Sequence, residues 1–361
     1  MPALPTAPLR YSPSVETPEP EETQTQAELV ETLLKISKIT YEDGGHAMRS
    51  VHAKPHGLLQ ATLSVADDLP PVLAQGLFAQ PGRYPIAMRF STSPGDILPD
   101  SVSVPRGLAI KVQNVPGEPL AGSQEAMVQD FLLVTGKAFL VPNAKKFLGN
   151  LKLLAGTTDK AEGLKVALSA VLRVTETAIE ALGGESPKIK SLGGYPEIHV
   201  LGESFFSQVP IRYGDYIAKV GVFPVSPELK ALTDTPLDLN HDPNALRAAV
   251  RDFFTAHGGT WELRVQLCTG LNDMPVEDAS VAWPEDKSPY ITVATIAAPP
   301  QDASCETAYE KIDTAMSFSP WHGLDAHRPL GSIMRARKAA YEQSAGFRLS
   351  NNGCPFHKSA T

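Results

Sequence analysis

The sequence predicts an α+β protein: an antiparallel eight-stranded β-barrel with added helices. Three observations predict it. Seven or eight short segments are rich in β-branched or aromatic residues, and turn residues lie between most of them. These segments do not alternate regularly with helices, as a parallel sheet would require. The helical stretches fall instead in blocks that interrupt the strand series and close the chain. With 361 residues, 42% of them apolar, the chain can bury a large core.

The elements follow in order. Residues 1–24 are rich in Pro, Thr and Glu, as in Ser14 to Glu22, and are expected to form a disordered arm. Leu29, Leu33, Leu34 and Ile36 give Ala27–Ile39 a helical period. Strands are expected at Leu58–Val65, Tyr84–Ser91, Gly107–Val112 and Asp130–Val134, then at Ile211–Val225, Thr260–Cys268 and Pro289–Ala297. The Ile211 segment is long enough for two. Helices are expected at Lys145–Leu154 and Ala161–Leu182, and at Pro243–His257, ended by Gly258-Gly259 in the manner of a C-cap. A last helix is expected over Pro329–Phe347, with His322 and His327 as loop and helix-start residues. A main domain over 25–350 and a mobile tail over 351–361, which holds Cys354 and His357, complete the organisation.

Composition excludes several classes. The net charge is −8 with a pI near 5.6, and no Lys/Arg block offers a basic face to nucleic acid. No apolar run reaches the length of a membrane span, and the N-terminus lacks a signal-peptide pattern. Cys268, Cys305 and Cys354 are scattered and odd in number, as expected of reduced thiols in the cytoplasm.

Two clusters carry chemistry. Arg49-Ser-Val-His52-Ala-Lys precedes the first strand, where a His can serve as an acid/base group. Arg89 sits inside an apolar strand, followed by Phe90 and Ser91. A buried guanidinium there is expensive unless paired, so a dedicated anionic partner is expected. Pro105-Arg106-Gly107 opens the next strand, and Val134-Thr135-Gly136 leads on to Phe147. Near the C-terminus stand Phe318-Ser319-Pro320, then Arg337, Tyr341 and Arg348. Arg337 and Tyr341 are one helical turn apart and can touch.

In this order and spacing the segments resemble the haem catalases, over about residues 45–350. The resemblance implies a catalase-type barrel holding haem b. It makes His52 the distal catalytic His and Ser91 its hydrogen-bond partner. Arg49, Arg89 and Arg348 match partners of the haem propionates, Val51 the apolar residue above the iron, and Phe147 a ring stacked on the porphyrin. Tyr341 matches the iron ligand, supported by Arg337. One departure stands out: the family's distal Asn is absent, and Val134 and Thr135 occupy the candidate positions. Thr135 offers a hydroxyl there, and the small side chains leave room for a bulky hydroperoxide. The resemblance therefore implies a haem peroxidase that takes a peroxide and a small-molecule electron donor, with weak catalase activity. A fatty-acid hydroperoxide isomerase or lyase is the alternative. Allene oxide synthases of this type carry Thr before the distal His, where this chain has Val51. A non-enzymatic haem carrier has no need of the Arg49, His52 and Ser91 set. Assembly into a homo-oligomer is compatible with the resemblance.

Overall fold

The computed structural model describes residues 3–123, 125, 127–155 and 194–352. The helix expected over Ala161–Leu182 and the tail cysteine and histidine lie outside these residues. Nine strands are present among those described: β1 (Pro55–Val65), β2 (Arg83–Thr92), β3 (Arg106–Gln113), β4 (Val128–Val134), β5 (Phe205–Phe206), β6 (Ile211–Tyr213), β7 (Tyr216–Pro224), β8 (Gly259–Leu267) and β9 (Ile291–Ala298). All named pairings are antiparallel, in the order β5-β4-β3-β2-β1-β9-β8-β7. Phe205 and Phe206 also pair with Val222 and Gly221 of β7, which closes the sheet into an eight-stranded barrel. The short β6 folds back on β7 outside the ring.

Closure removes both sheet edges, and alternation fills the interior. Met88 and Phe90 point inward, where they join Ile110, Phe205, Val220, Trp261, Val265 and Val293 in one core. Arg89, between them, points to the opposite face, beside Ala87, Ala109 and Leu132. That outer face is where helices gather. α1 (Glu22–Gly44), α2 (Ala144–Ala155) and the final helix, α4 (Ser332–Asn352), pack through Leu29, Leu33, Ile36, Leu148, Leu151, Ala336 and Ala340. A further helix, α3 (Ala245–Ala256), rests on the barrel through Val250 and Phe254.

Four expectations need correction. Residues 9–22 are not a loose arm. Leu9, Tyr11 and Val15 cover Ile217, Cys268 and Trp283, and Leu9 N donates to Cys268 O at 2.7 Å. Arg335 of α4 binds Glu16, Glu22 and Glu277 at 2.6 to 3.0 Å, which pins the arm and starts α1 earlier than its apolar period suggests. Gly258-Gly259 is not a left-handed cap. His257 is extended, at φ −128°, and Gly259 already belongs to β8. A Cβ on Gly258 would stand 2.8 Å from Ala298 O, so close strand approach demands the small residue. The final helix begins at Ser332 and runs to Asn352, whose side-chain amide ties back to Ala47 N and O at 2.8 Å. His327, expected in a loop, is buried, with Nε2 accepting from Leu77 N at 2.9 Å.

Candidate active site

The segment before β1 brings His52 under the helices. Its backbone is left-handed, at φ +54°, and its N–H donates to Ser93 O at 2.9 Å. A non-glycine residue held there costs about 1–3 kcal/mol, which the surrounding contacts must offset. Packing explains the fixed ring. A Cβ on Gly107 would lie 2.6 Å from the imidazole, so only glycine lets β3 approach it. His52 Nδ1 is 3.1 Å from Ser91 Oγ. Burial, reinforced by Arg89, Arg337 and Arg49, pushes the imidazole down to about 3, so it is neutral near pH 7.

Beside it three guanidinium groups converge on one acidic residue. Arg49 Nη1 and Arg89 Nε each donate to Asp313 Oδ1 at 2.7 Å. Arg348 Nη1 donates to Asp313 O at 3.5 Å. Asp313 is the anionic partner that the buried Arg89 demands. Burial alone would raise its pKa, but Arg89, Arg49 and Arg348 bring it down to about 2. One carboxylate among three guanidinium groups leaves an excess of two positive charges. Arg348 Nε is buried with no hydrogen-bond partner.

The final helix supplies the opposite component. Arg337 Nη2 donates to Tyr341 Oη at 2.6 Å, as the one-turn spacing predicts. Tyr341, Ser344 and Arg348 lie along the same helix face and line one cavity with Arg49, Val51, His52, Arg89, Ser91, Val134 and Phe318. The cavity volume is about 90 Å³, and its mouth is open to solvent. Leu33, Leu108, Ala109, Leu132 and Leu133 give it an apolar stretch of wall.

Two expected site residues stand elsewhere. Thr135 Oγ1 accepts from Arg106 N at 3.2 Å, so its hydroxyl is used at the strand end while Val134 reaches the cavity. Phe147 packs edge-on against Phe139, with ring centres 5.3 Å apart, and joins Val51 against the α1, α2 and α4 cluster behind the cavity. Asp313 was not foreseen. It lies in a six-residue π-helical segment, Tyr309–Thr314, with no spacing motif to announce it. Among the described residues no group of three or more His, Cys, Asp or Glu could hold a metal ion, and no helix is long and apolar enough to cross a membrane.

No family model and no curated protein matches the chain by sequence. Solved structures do match by shape. A fungal catalase superposes with a TM-score of 0.61 at 17% identity, over 88% of this chain and 63% of its own. This is the catalase fold. Two further structures agree. A bacterial catalase gives 0.59 at 14% identity, over 90% of this chain and 62% of its own. Catalase A from Saccharomyces cerevisiae gives 0.59 at 16%, over 89% and 66% respectively. The chain therefore spans less than two thirds of the length of the first two catalases. The catalase fold accounts for the predicted eight-stranded barrel; at such low identity it says nothing of activity.

Proposed function

We propose that the cavity binds haem b and that the protein is a haem-dependent peroxidase reducing organic hydroperoxides with a small-molecule electron donor. One observation carries the reading. A guanidinium cradle with two uncompensated charges, a Tyr–Arg pair and a neutral His line the same apolar cavity. That donor set fits haem, a flat apolar dianion with an iron at its centre. Arg49, Arg89 and Arg348 would hold its two propionates, with the orphaned Arg348 Nε as one waiting donor. Tyr341 would ligate the iron, and Val51 would pack above the ring. Bound haem supplies the redox chemistry with peroxide. The chain moves the proton. With Nδ1–H donated to Ser91 Oγ, His52 Nε2 has its lone pair free. It takes the proton of the hydroperoxide and returns it to the departing oxygen. Free Cys268 and Cys305 support a cytoplasmic setting.

Two results test this reading. Tyr341→Phe is expected to take up haem with at least ten-fold weaker affinity in a spectral titration. An unchanged spectrum and affinity would remove Tyr341 as the ligand. The second test concerns substrate. Val134 supplies no polar group beside His52, and the Thr135 hydroxyl is directed to Arg106. Hydrogen peroxide is then poorly held for the oxygen-releasing turnover, whereas an alkyl hydroperoxide meets an apolar wall. The haem-loaded protein is expected to oxidise donors with cumene hydroperoxide and to release little oxygen from hydrogen peroxide. Brisk oxygen release without donor oxidation would make it a catalase. A rearranged lipid product formed without donor consumption would make it an isomerase.

A further inference from the structure

Asp313 stands at the centre of the arginine cluster, and a cradle for two ligand carboxylates has no obvious need of a third. Its placement is specific. A single oxygen, Oδ1, accepts from both Arg49 and Arg89, and the same residue's backbone oxygen faces Arg348. The carboxylate is held by the wide turn of a π-helix, a geometry adopted at few positions in a chain. The segment is anchored by Ile312, which packs against Leu58, Ala87 and Phe318. The group stays ionised at any working pH, because its pKa lies near 2.

We infer that Asp313 is a positioning residue that holds Arg49 and Arg89 side by side and trims the cradle from three positive charges to two, matching it to a ligand with two carboxylates. The inference rests on the haem reading above. The physical case is one of charge. Without Asp313 three guanidinium groups would face one another in a buried space. Arg49 already has its pKa lowered by burial and by Arg89, with Asp313 the anion that opposes this. Bound propionates could balance two of the three charges and would leave the third beside the porphyrin. With Asp313 in place the three arginines, Asp313 and two propionates sum to zero, which suits an apolar cavity wall.

The test separates this inference from the haem reading. Wild-type protein is first titrated with haem and with haem dimethyl ester. No uptake of haem, or equal uptake of the ester, overturns both. If haem binds and the ester binds at least ten-fold more weakly, Asp313→Asn decides the rest. The haem in this variant is expected to show a more positive midpoint potential than in wild type, because a nearby anion that stabilised the ferric state is gone. Asp313→Glu should keep the wild-type potential. The sign is informative. A merely loosened site admits water, which favours the more charged ferric state and lowers the potential. An unchanged or lowered potential in Asp313→Asn overturns the inference and leaves haem binding intact. Should Asp313→Asn fail to fold, adding Arg348→Gln restores an excess of two charges. A double variant that folds with the wild-type potential upholds the inference, and one that does not fold, or folds with another potential, overturns it.

Discussion

Replacing His52 with alanine is expected to lower hydroperoxide turnover by about 10²- to 10⁴-fold per bound haem while leaving haem uptake intact. Three features support the size of the effect. The imidazole is neutral near pH 7, so it is ready to accept a proton. Its orientation is set on two sides, by Ser91 Oγ at 3.1 Å and by the close approach of Gly107. Its charged neighbours, Arg89, Arg337 and Arg49, are guanidinium groups, which donate hydrogen bonds and accept none. Among the described residues lining the cavity, no other His, Asp or Glu is present to replace it. Asp313 is close, but its carboxylate is committed to Arg49 and Arg89. Haem retention should survive, since the cradle and Tyr341 do not depend on His52. The measurement is steady-state donor oxidation with cumene hydroperoxide, normalised to haem content. Full activity in a haem-replete His52→Ala protein would remove His52 from the mechanism. Ser91→Ala should lose less than His52→Ala, because it frees the ring without deleting the base.

Much of this arrangement was legible in the sequence, and the reasons differ by element. The barrel strands could be read because their side chains alternate or carry β-branched residues, and β1 to β4 follow at nearly their expected limits. Strand β5 could not be read, since two residues, Phe205 and Phe206, hold no period, yet they close the barrel. Arg89 signalled itself as a cation in an apolar strand, and the structure supplies the anion that such burial requires. Which anion was beyond reach. Asp313 lies 224 residues from Arg89, and only the folded chain brings them together. Thr135 was misplaced for a local reason. At a strand end neighbouring side chains point to opposite faces, and a shift of one residue exchanges cavity for backbone. The N-terminal arm was judged by composition alone. Three of its apolar residues, Leu9, Tyr11 and Val15, hold no readable period, but they are enough to dock.

Stability should fall sharply with mild acid, because several histidines are buried as neutral groups. Burial pushes His327 and His199 each down to about 4, against an ordinary value near 6.5, and holds His56 well below that value too. Below pH 6.5 the unfolded chain binds protons at these sites and the folded chain does not. Protonation therefore favours unfolding, and the loss grows as the pH falls from about 6.5 toward 4. At pH 5 each of His327 and His199 forfeits about 2 kcal/mol relative to pH 7. Together they forfeit about 4 kcal/mol, a large part of the net stability of an ordinary domain. His56 and His52 add to this in the same direction. Carboxylates contribute little over that interval, since they titrate mainly below pH 5. The urea midpoint of the haem-free protein should accordingly be much lower at pH 5 than at pH 7. His327 offers the specific control. Its Nε2 accepts from Leu77 N, so the ring serves the fold as a neutral acceptor. A Gln at this position has an oxygen to accept from the same amide and no proton to gain. His327→Gln should be less stable at pH 7, through lost ring packing against Phe78 and Tyr213. It should then lose about 2 kcal/mol less than wild type between pH 7 and pH 5. Equal urea midpoints for the wild type at the two pH values would show that these rings are already protonated or exposed in the folded protein. An unchanged acid loss in His327→Gln would clear His327 in particular, and would leave His199, His56 and His52 to account for it.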